Sequence, residues 1–105
     1  MDKKADRKII EYINKIKKIF NLKKAILFGS RARGDNLIDS DYDLILVSPL
    51  FKDIFFTQRM VKVSHYWDDP IQLEPFCYTP EEFEKKKKQI GIVSEAIKEG
   101  INIPL

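Results

Sequence analysis

The chain has 105 residues, is 44% hydrophobic and 33% charged, and carries 19 basic against 16 acidic side chains for a formal net charge of +3. That length and balance fit one globular domain over residues 1–105 and exclude a disordered chain. No apolar run is long enough to span a bilayer, so no membrane association is expected, and the near-balanced charge argues against nucleic acid as the partner.

Ile9, Ile13, Ile16 and Phe20 recur at helical spacing with lysines on the other faces, which predicts a first helix over about residues 3–20. The stretch from Met1 to Lys8 has no apolar segment of signal-peptide type, so the expected location is cytoplasmic. Lys3, Lys4, Lys8, Lys15, Lys17, Lys18, Lys23 and Lys24, and again Lys85 to Lys88, read as solvated helix faces. Lys24 to Phe28 is a short apolar strand that Gly29-Ser30 breaks. Ser30 is expected to cap a short helix through Arg33, with Gly34 ending it.

Asp41 to Val47 reads as a second strand, ended by Pro49 and apolar on both sides after Asp43, as a central strand would be. Residues 53–67 are expected to be helical, Asp68-Asp69-Pro70 to turn, and Ile71 to Tyr78 to form a third strand. Thr79-Pro80-Glu81-Glu82 opens a last helix, with Thr79 as N-cap, Pro80 at the first helical position and Glu82 completing a capping box. Ile90, Val93 and Ile97 supply its apolar stripe, and Gly100 ends it. Such alternation of helices and strands predicts an α/β layered fold around a small sheet. Cys77, the single cysteine, sits among Pro75, Phe76 and Tyr78 and reads as a buried thiol in a reducing compartment. His65 has no second histidine with which to share a metal, and with Trp67 it reads as a packing or partner-contact residue.

The chemistry concentrates between residues 29 and 43. Side chains alternate along a strand, so Asp41 and Asp43 share a face while Tyr42 takes the other. Their carboxylates can converge on one Mg²⁺ or on a closely spaced pair, an ion that favours a few carboxylates completed by phosphate oxygens and water. Gly29 lets the backbone approach a ligand closely. The amides of Ser30 and Arg31, at a helix start, can donate to phosphate, with the Ser30 hydroxyl beside them and Arg31 and Arg33 as neutralising cations. Glu74, alternating with Ile71 and Leu73 in the third strand and sharing a face with Gln72, is the candidate third acid that activates an attacking group. An EF-hand reading of Asp39, Asp41 and Asp43 fails, because Leu44 and Leu50 stand where that loop requires Gly and Glu. A P-loop reading fails because no Gly-Lys-Ser/Thr follows Gly29.

Gly29-Ser30-Arg31-Ala32-Arg33-Gly34, followed by Ser40-Asp41-Tyr42-Asp43 and the apolar Leu44-Ile45-Leu46-Val47, resembles the core motif of the minimal nucleotidyltransferases of the DNA polymerase β-like superfamily. The resemblance implies a small mixed sheet flanked by helices (an α/β or α+β fold), two metal ions (Mg²⁺ or Mn²⁺) and transfer of a nucleoside monophosphate from a triphosphate such as ATP. It implies that Gly29 and Ser30 hold the triphosphate, that Asp41 and Asp43 bind both metals, and that Glu74 takes a third acidic position where the family more often has Asp. Many such proteins are antitoxins that pair with a HEPN-domain RNase toxin and transfer AMP onto it. The chain is short for a separate base-binding or primer-binding domain, so the acceptor and part of the pocket are expected from a protein partner or from a second copy in a homo-oligomer. Two rivals follow from the same residues. One is a binding module that neutralises a partner by contact through Phe55, Phe56, Tyr66, Trp67 and the tail Ile101 to Leu105; the other is nucleotide transfer to RNA or a small molecule.

Overall fold

The computed structural model describes residues 5–105, so the expected helix start at residue 3, with Lys3 and Lys4, lies outside the described residues. Asp6 stands in extended backbone and its Oδ1 accepts from Ile9 N at 3.2 Å, which fixes the start of α1 (Arg7–Ile16). The helix is shorter than its apolar periodicity predicts. The backbone turns over at Asn21 (φ 47°), and Leu22 N donates to Lys17 O at 2.9 Å. Phe20 keeps its place in the apolar layer from outside the helix, against Phe51 and Tyr66.

The strands are β1 (Lys24–Phe28), β2 (Tyr42–Val47), β3 (Leu73–Tyr78) and a two-residue β4 (Ile101–Asn102). They form one mixed sheet in the order β3-β2-β1-β4, with β1 antiparallel to β2 and β4, and β2 parallel to β3. This is the mixed sheet flanked by helices that the sequence predicts. β2 is central, and Leu44, Ile45, Leu46 and Val47 are all buried because both faces are covered.

On one face, Ile9, Tyr12, Ile13 and Ile16 of α1 pack with Ala25, Leu27, Leu44, Leu46 and Cys77, joined by Val63 of α3 (Phe56–Ser64). Each fully buried aliphatic chain there stabilises the fold by about 1.5–3 kcal/mol. On the other face, Ile26, Ile45, Val47 and Tyr78 meet Phe83 of α4 (Pro80–Lys86) and Val93 and Ala96 of α5 (Ile92–Glu99).

Several boundaries differ from expectation. A 3₁₀ turn, Pro49–Phe51, precedes α3, and Asp53 at φ 65° interrupts any continuous helix from residue 53. The last helix is two helices. The like-charged run Lys85 to Lys88 closes α4 in a tight turn, and Ser94 Oγ then bridges to both the amide and carbonyl of Gly91 to start α5. Ile90 consequently lies fully exposed between them and Ile97 is half-exposed, so the inward stripe is Val93 and Ala96. β4 has no counterpart in the sequence reading. It returns against β1 through Gly100, and Ile103 beyond it is buried at 4% exposure. The capping box is present as expected, with Thr79 Oγ1 accepting from Glu82 N and Glu82 Oε1 accepting from Thr79 N.

β3 is an edge strand, and its free side is blunted. Pro75 has no amide to offer there, and Arg59 Nη1 covers the Cys77 carbonyl at 3.1 Å. Arg59 also donates to Ile54 O and to both carboxylate oxygens of Glu82, so one buried guanidinium joins α3, β3 and α4. Cys77 is buried as expected, and burial pushes its thiol up to about 12. Trp67 packs edge-on against Tyr12 and Tyr42, again as expected of a packing residue. No helix among the described residues is long and apolar enough to cross a membrane.

Candidate active site

The site lies where β1 ends and β2 and β3 begin. Because β1 runs against β2 and β3 runs with it, Phe28, Asp43 and Glu74 stand in one row across the sheet. Asp41 precedes the first residue of β2 rather than lying within it, and is half-buried. Tyr42 takes the face packed with the α1 layer, opposite Asp43 as strand alternation predicts.

Asp43 is held well above the ordinary carboxylate range, at about 6. Burial is the largest cause, followed by a side-chain hydrogen bond with Glu74 and by the charges of Glu74 and Asp41; Arg33 opposes them. Asp43 and Glu74 are register partners on adjacent strands, with Asp41 within electrostatic reach of Asp43. Gln72 Nε2 lies 3.5 Å from Glu74 Oε1 and gives that carboxylate a weak donor.

The bend after β1 is tied to the same acids. Gly29 has φ 75°, a conformation that L side chains rarely adopt, and occupies the N-cap position of α2 (Ser30–Arg33). Ser30 is thus the first helical residue rather than the cap. Internal bonding of the bend starts where Ala32 N and Arg33 N donate to Gly29 O, both at 3.1 Å. The amides of Ser30 and Arg31 are helix-start donors ahead of that bonding. Gly34, in the left-handed conformation at φ 85°, ends the turn as its sequence position predicts.

The two arginines differ in their surroundings. Arg33 is half-exposed, pairs with Asp35 and with Glu99 at the end of α5, and is the cation that draws the Asp43 pKa down. Arg31 is turned the other way. Its Nε donates to Ser40 O at 2.8 Å, its Nη2 to Ile38 O at 3.1 Å, and its guanidinium lies 3.9 Å from the centre of the Tyr42 ring. Asp6, which the sequence reading leaves out, receives the Tyr42 hydroxyl at 2.6 Å and lies 3.5 Å from Arg31 Nη1. Its position just ahead of a helical apolar pattern is the sequence signal for its capping role, but nothing local announces its link to Tyr42.

Asp41, Asp43 and Glu74 offer only carboxylate oxygens, the donor type that suits Mg²⁺, and the charges of Glu74 and Asp41, which add to burial in raising the Asp43 pKa, are what a divalent cation would offset. Among the described residues, no group of three or more His, Cys, Asp or Glu side chains is drawn into a cluster that could by itself hold a metal ion. A set of this kind suits an ion that shares its coordination between carboxylates and substrate oxygens.

The lysines of α1 are largely engaged on the far side. Lys8 pairs with Asp69 at 2.8 Å and Lys15 with Asp68 at 3.7 Å.

The backbone is similar to the crystal structure of a candidate nucleotidyltransferase from Sulfolobus solfataricus, with a TM-score of 0.65 and 24% identity over 91% of this chain and 76% of that one. No curated protein matches the chain. A family profile, the nucleotidyltransferase domain, matches residues 7–99, which span α1 through α5 and every acid and glycine of the site. The chain belongs to the nucleotidyltransferase domain family.

Proposed function

We propose that this chain transfers AMP from ATP to a hydroxyl on a protein partner, in a reaction dependent on Mg²⁺ or Mn²⁺. The observation that carries the reading is the pairing of Asp43 with Glu74 across the sheet and the close approach of Asp43 to the Gly29 bend, which supports reading the amides of that bend as phosphate donors beside paired carboxylates. Two divalent ions held by Asp41, Asp43 and Glu74 would supply charge stabilisation at the transferred phosphoryl group.

The residues of the chain divide the remaining work. The amides of Ser30 and Arg31 and the Ser30 hydroxyl bind and orient the triphosphate. Arg33, already within electrostatic reach of Asp43, offsets phosphate charge. Glu74, near the start of the edge strand and paired in register with Asp43, takes the proton of the attacking hydroxyl. The acceptor comes from outside, and a HEPN-type toxin in an antitoxin pair is the partner we favour.

A contact-only binding role is the second reading, and one observation favours it. Ile54, Phe55, Phe56, Arg59, Tyr78, Glu82 and Lys86 line a groove of about 490 Å³, with Phe55 83% exposed. Part of the surface expected for that role is not free, although Leu105 of the tail stays 44% exposed. Tyr66 and Trp67 pack against the core and Ile103 is buried.

The test is incubation of the chain with each labelled triphosphate, Mg²⁺ and the protein encoded beside it, followed by mass measurement of both chains. Gain of one adenylate on the neighbour, lost in Asp41→Asn and Asp43→Asn, supports the proposal. Full neutralisation of the neighbour by the double variant, with no mass change in the parent reaction, supports the second reading instead.

A further inference from the structure

We propose that Arg31 is a positioning residue that fixes Asp41, and that it does not serve as a phosphate cation. The inference rests on the reading of Asp41 as a metal ligand. Its evidence is the set of contacts on either side of that residue.

Asp41 has no strand partner of its own, because β2 begins at Tyr42. Its backbone direction is set by its neighbours. Ser40, just before it, has its carbonyl held by Arg31 Nε at 2.8 Å. Tyr42, just after it, has its ring under the Arg31 guanidinium at 3.9 Å and its hydroxyl on Asp6 at 2.6 Å. Ile38, at the tip of the same loop, has its carbonyl held by Arg31 Nη2 at 3.1 Å. The loop closes on itself through Leu37 N to Ser40 Oγ at 2.9 Å and Ser40 N to Leu37 O at 3.1 Å.

One guanidinium thus grips both flanks of Asp41, and its side chain is only 9% exposed. A planar fork can bind two carbonyls and stack on a ring at once, whereas an ammonium cannot. The loop that Arg31 secures carries Leu37 and Ile38 at 73% and 91% exposure, so its own side chains do not anchor it to the core. Asp6 extends the grip to α1, since it caps that helix through one oxygen and receives Tyr42 through the other.

The test separates charge from geometry, with Mn²⁺ alone and ATP in EDTA as the two probes. In Arg31→Lys, which keeps the charge, Mn²⁺ affinity measured by electron paramagnetic resonance is expected to fall at least tenfold. Metal-free ATP affinity stays within twofold, and hydrogen exchange at the Leu37 and Ser40 amides speeds up. Arg33→Ala is expected to show the reverse, with weaker ATP binding and Mn²⁺ affinity kept or raised. Should Arg31→Lys fail to fold, Tyr42→Phe carries the same two readouts, because it frees Asp6 while leaving the Arg31 charge in place. Parental Mn²⁺ affinity in the folded variant, or a loss confined to ATP binding, overturns the proposal. A parent chain that binds neither probe would instead overturn the nucleotidyl-transfer reading beneath it.

Discussion

A Cβ built on Gly29 would lie 2.3 Å from Asp43 Oδ2. The bend and the acid are therefore fitted to each other, and glycine is required twice, by that approach and by φ 75°. Gly29→Ala is expected to push the Asp43 carboxylate out of line with Glu74 and to cost about 1–2 kcal/mol of stability. Transfer activity should fall by two orders of magnitude or more. Thermal unfolding and a transfer assay on the same sample check both effects, and parental activity in the variant would show the fit to be incidental.

Asp43 carries the clearest pH signature. Its folded pKa of about 6 lies above the ordinary 3.8 of an unfolded chain, so the metal-free fold binds the extra proton. Stability from this group is complete below about 3.8 and is lost as pH rises through about 6. Asp43→Asn should accordingly stabilise the metal-free protein at neutral pH, by about 1 kcal/mol once solvent screening of this half-exposed group is allowed for. Unfolding in EDTA at pH 5 and pH 7.5 checks the sign: the gain should appear at the higher pH and shrink at the lower.

Arg59 and Glu82 form the main ionic joint among the helices. The guanidinium is 7% exposed and meets the two Glu82 oxygens at 2.6 and 3.2 Å. Arg59→Met leaves Cys77 O, Ile54 O and Glu82 without this donor and should cost about 2–3 kcal/mol. The same contact, first of its causes, holds the Glu82 carboxyl below its ordinary range. Stability from it is therefore present at neutral pH and lost as pH falls through that lowered value. Denaturant unfolding of parent and variant should show the difference narrowing in acid.

Gly100 makes the return from α5 to β4. A Cβ there would meet Ala96 O at 2.3 Å and Ile26 Cγ2 at 2.6 Å. Gly100→Ala is expected to destabilise by about 1–3 kcal/mol through overpacking, with Ile103 released from the core. Chemical-denaturant midpoints, with amide exchange at Ile103, measure it.

What the sequence discloses is local. The apolar run before Gly29, the continuous Leu44 to Val47 stretch and the Thr79/Glu82 box each carry their signal within a few residues, and each is present in the structure. The helix split around Gln89 and Ile90 was hidden because apolar spacing runs through it while four lysines end α4. β4 is too short to show alternation, and only its pairing with Ile26 and Leu27 makes it a strand. At the site, the acids and glycines are legible as motif residues, and alternation sets Asp41 and Asp43 on one expected face, but the register that brings Glu74 beside Asp43 is not legible. Asp43 reaches Glu74 through parallel pairing across a long crossover, and Arg31 differs from Arg33 only through partners at Ile38, Ser40 and Tyr42.

In the proposed site, Asp41, Asp43 and Glu74 hold metal against a nucleotide seated at the Gly29-Ser30 bend. Calorimetric titration with a non-hydrolysable ATP analogue, with and without Mn²⁺, tests it in the parent chain and in the Asp41→Asn/Asp43→Asn double variant. Binding at least tenfold tighter with Mn²⁺ is expected in the parent, with no gain from Mn²⁺ in the double variant. Equal binding with and without Mn²⁺ in the parent, or an undiminished Mn²⁺ effect in the double variant, would contradict it.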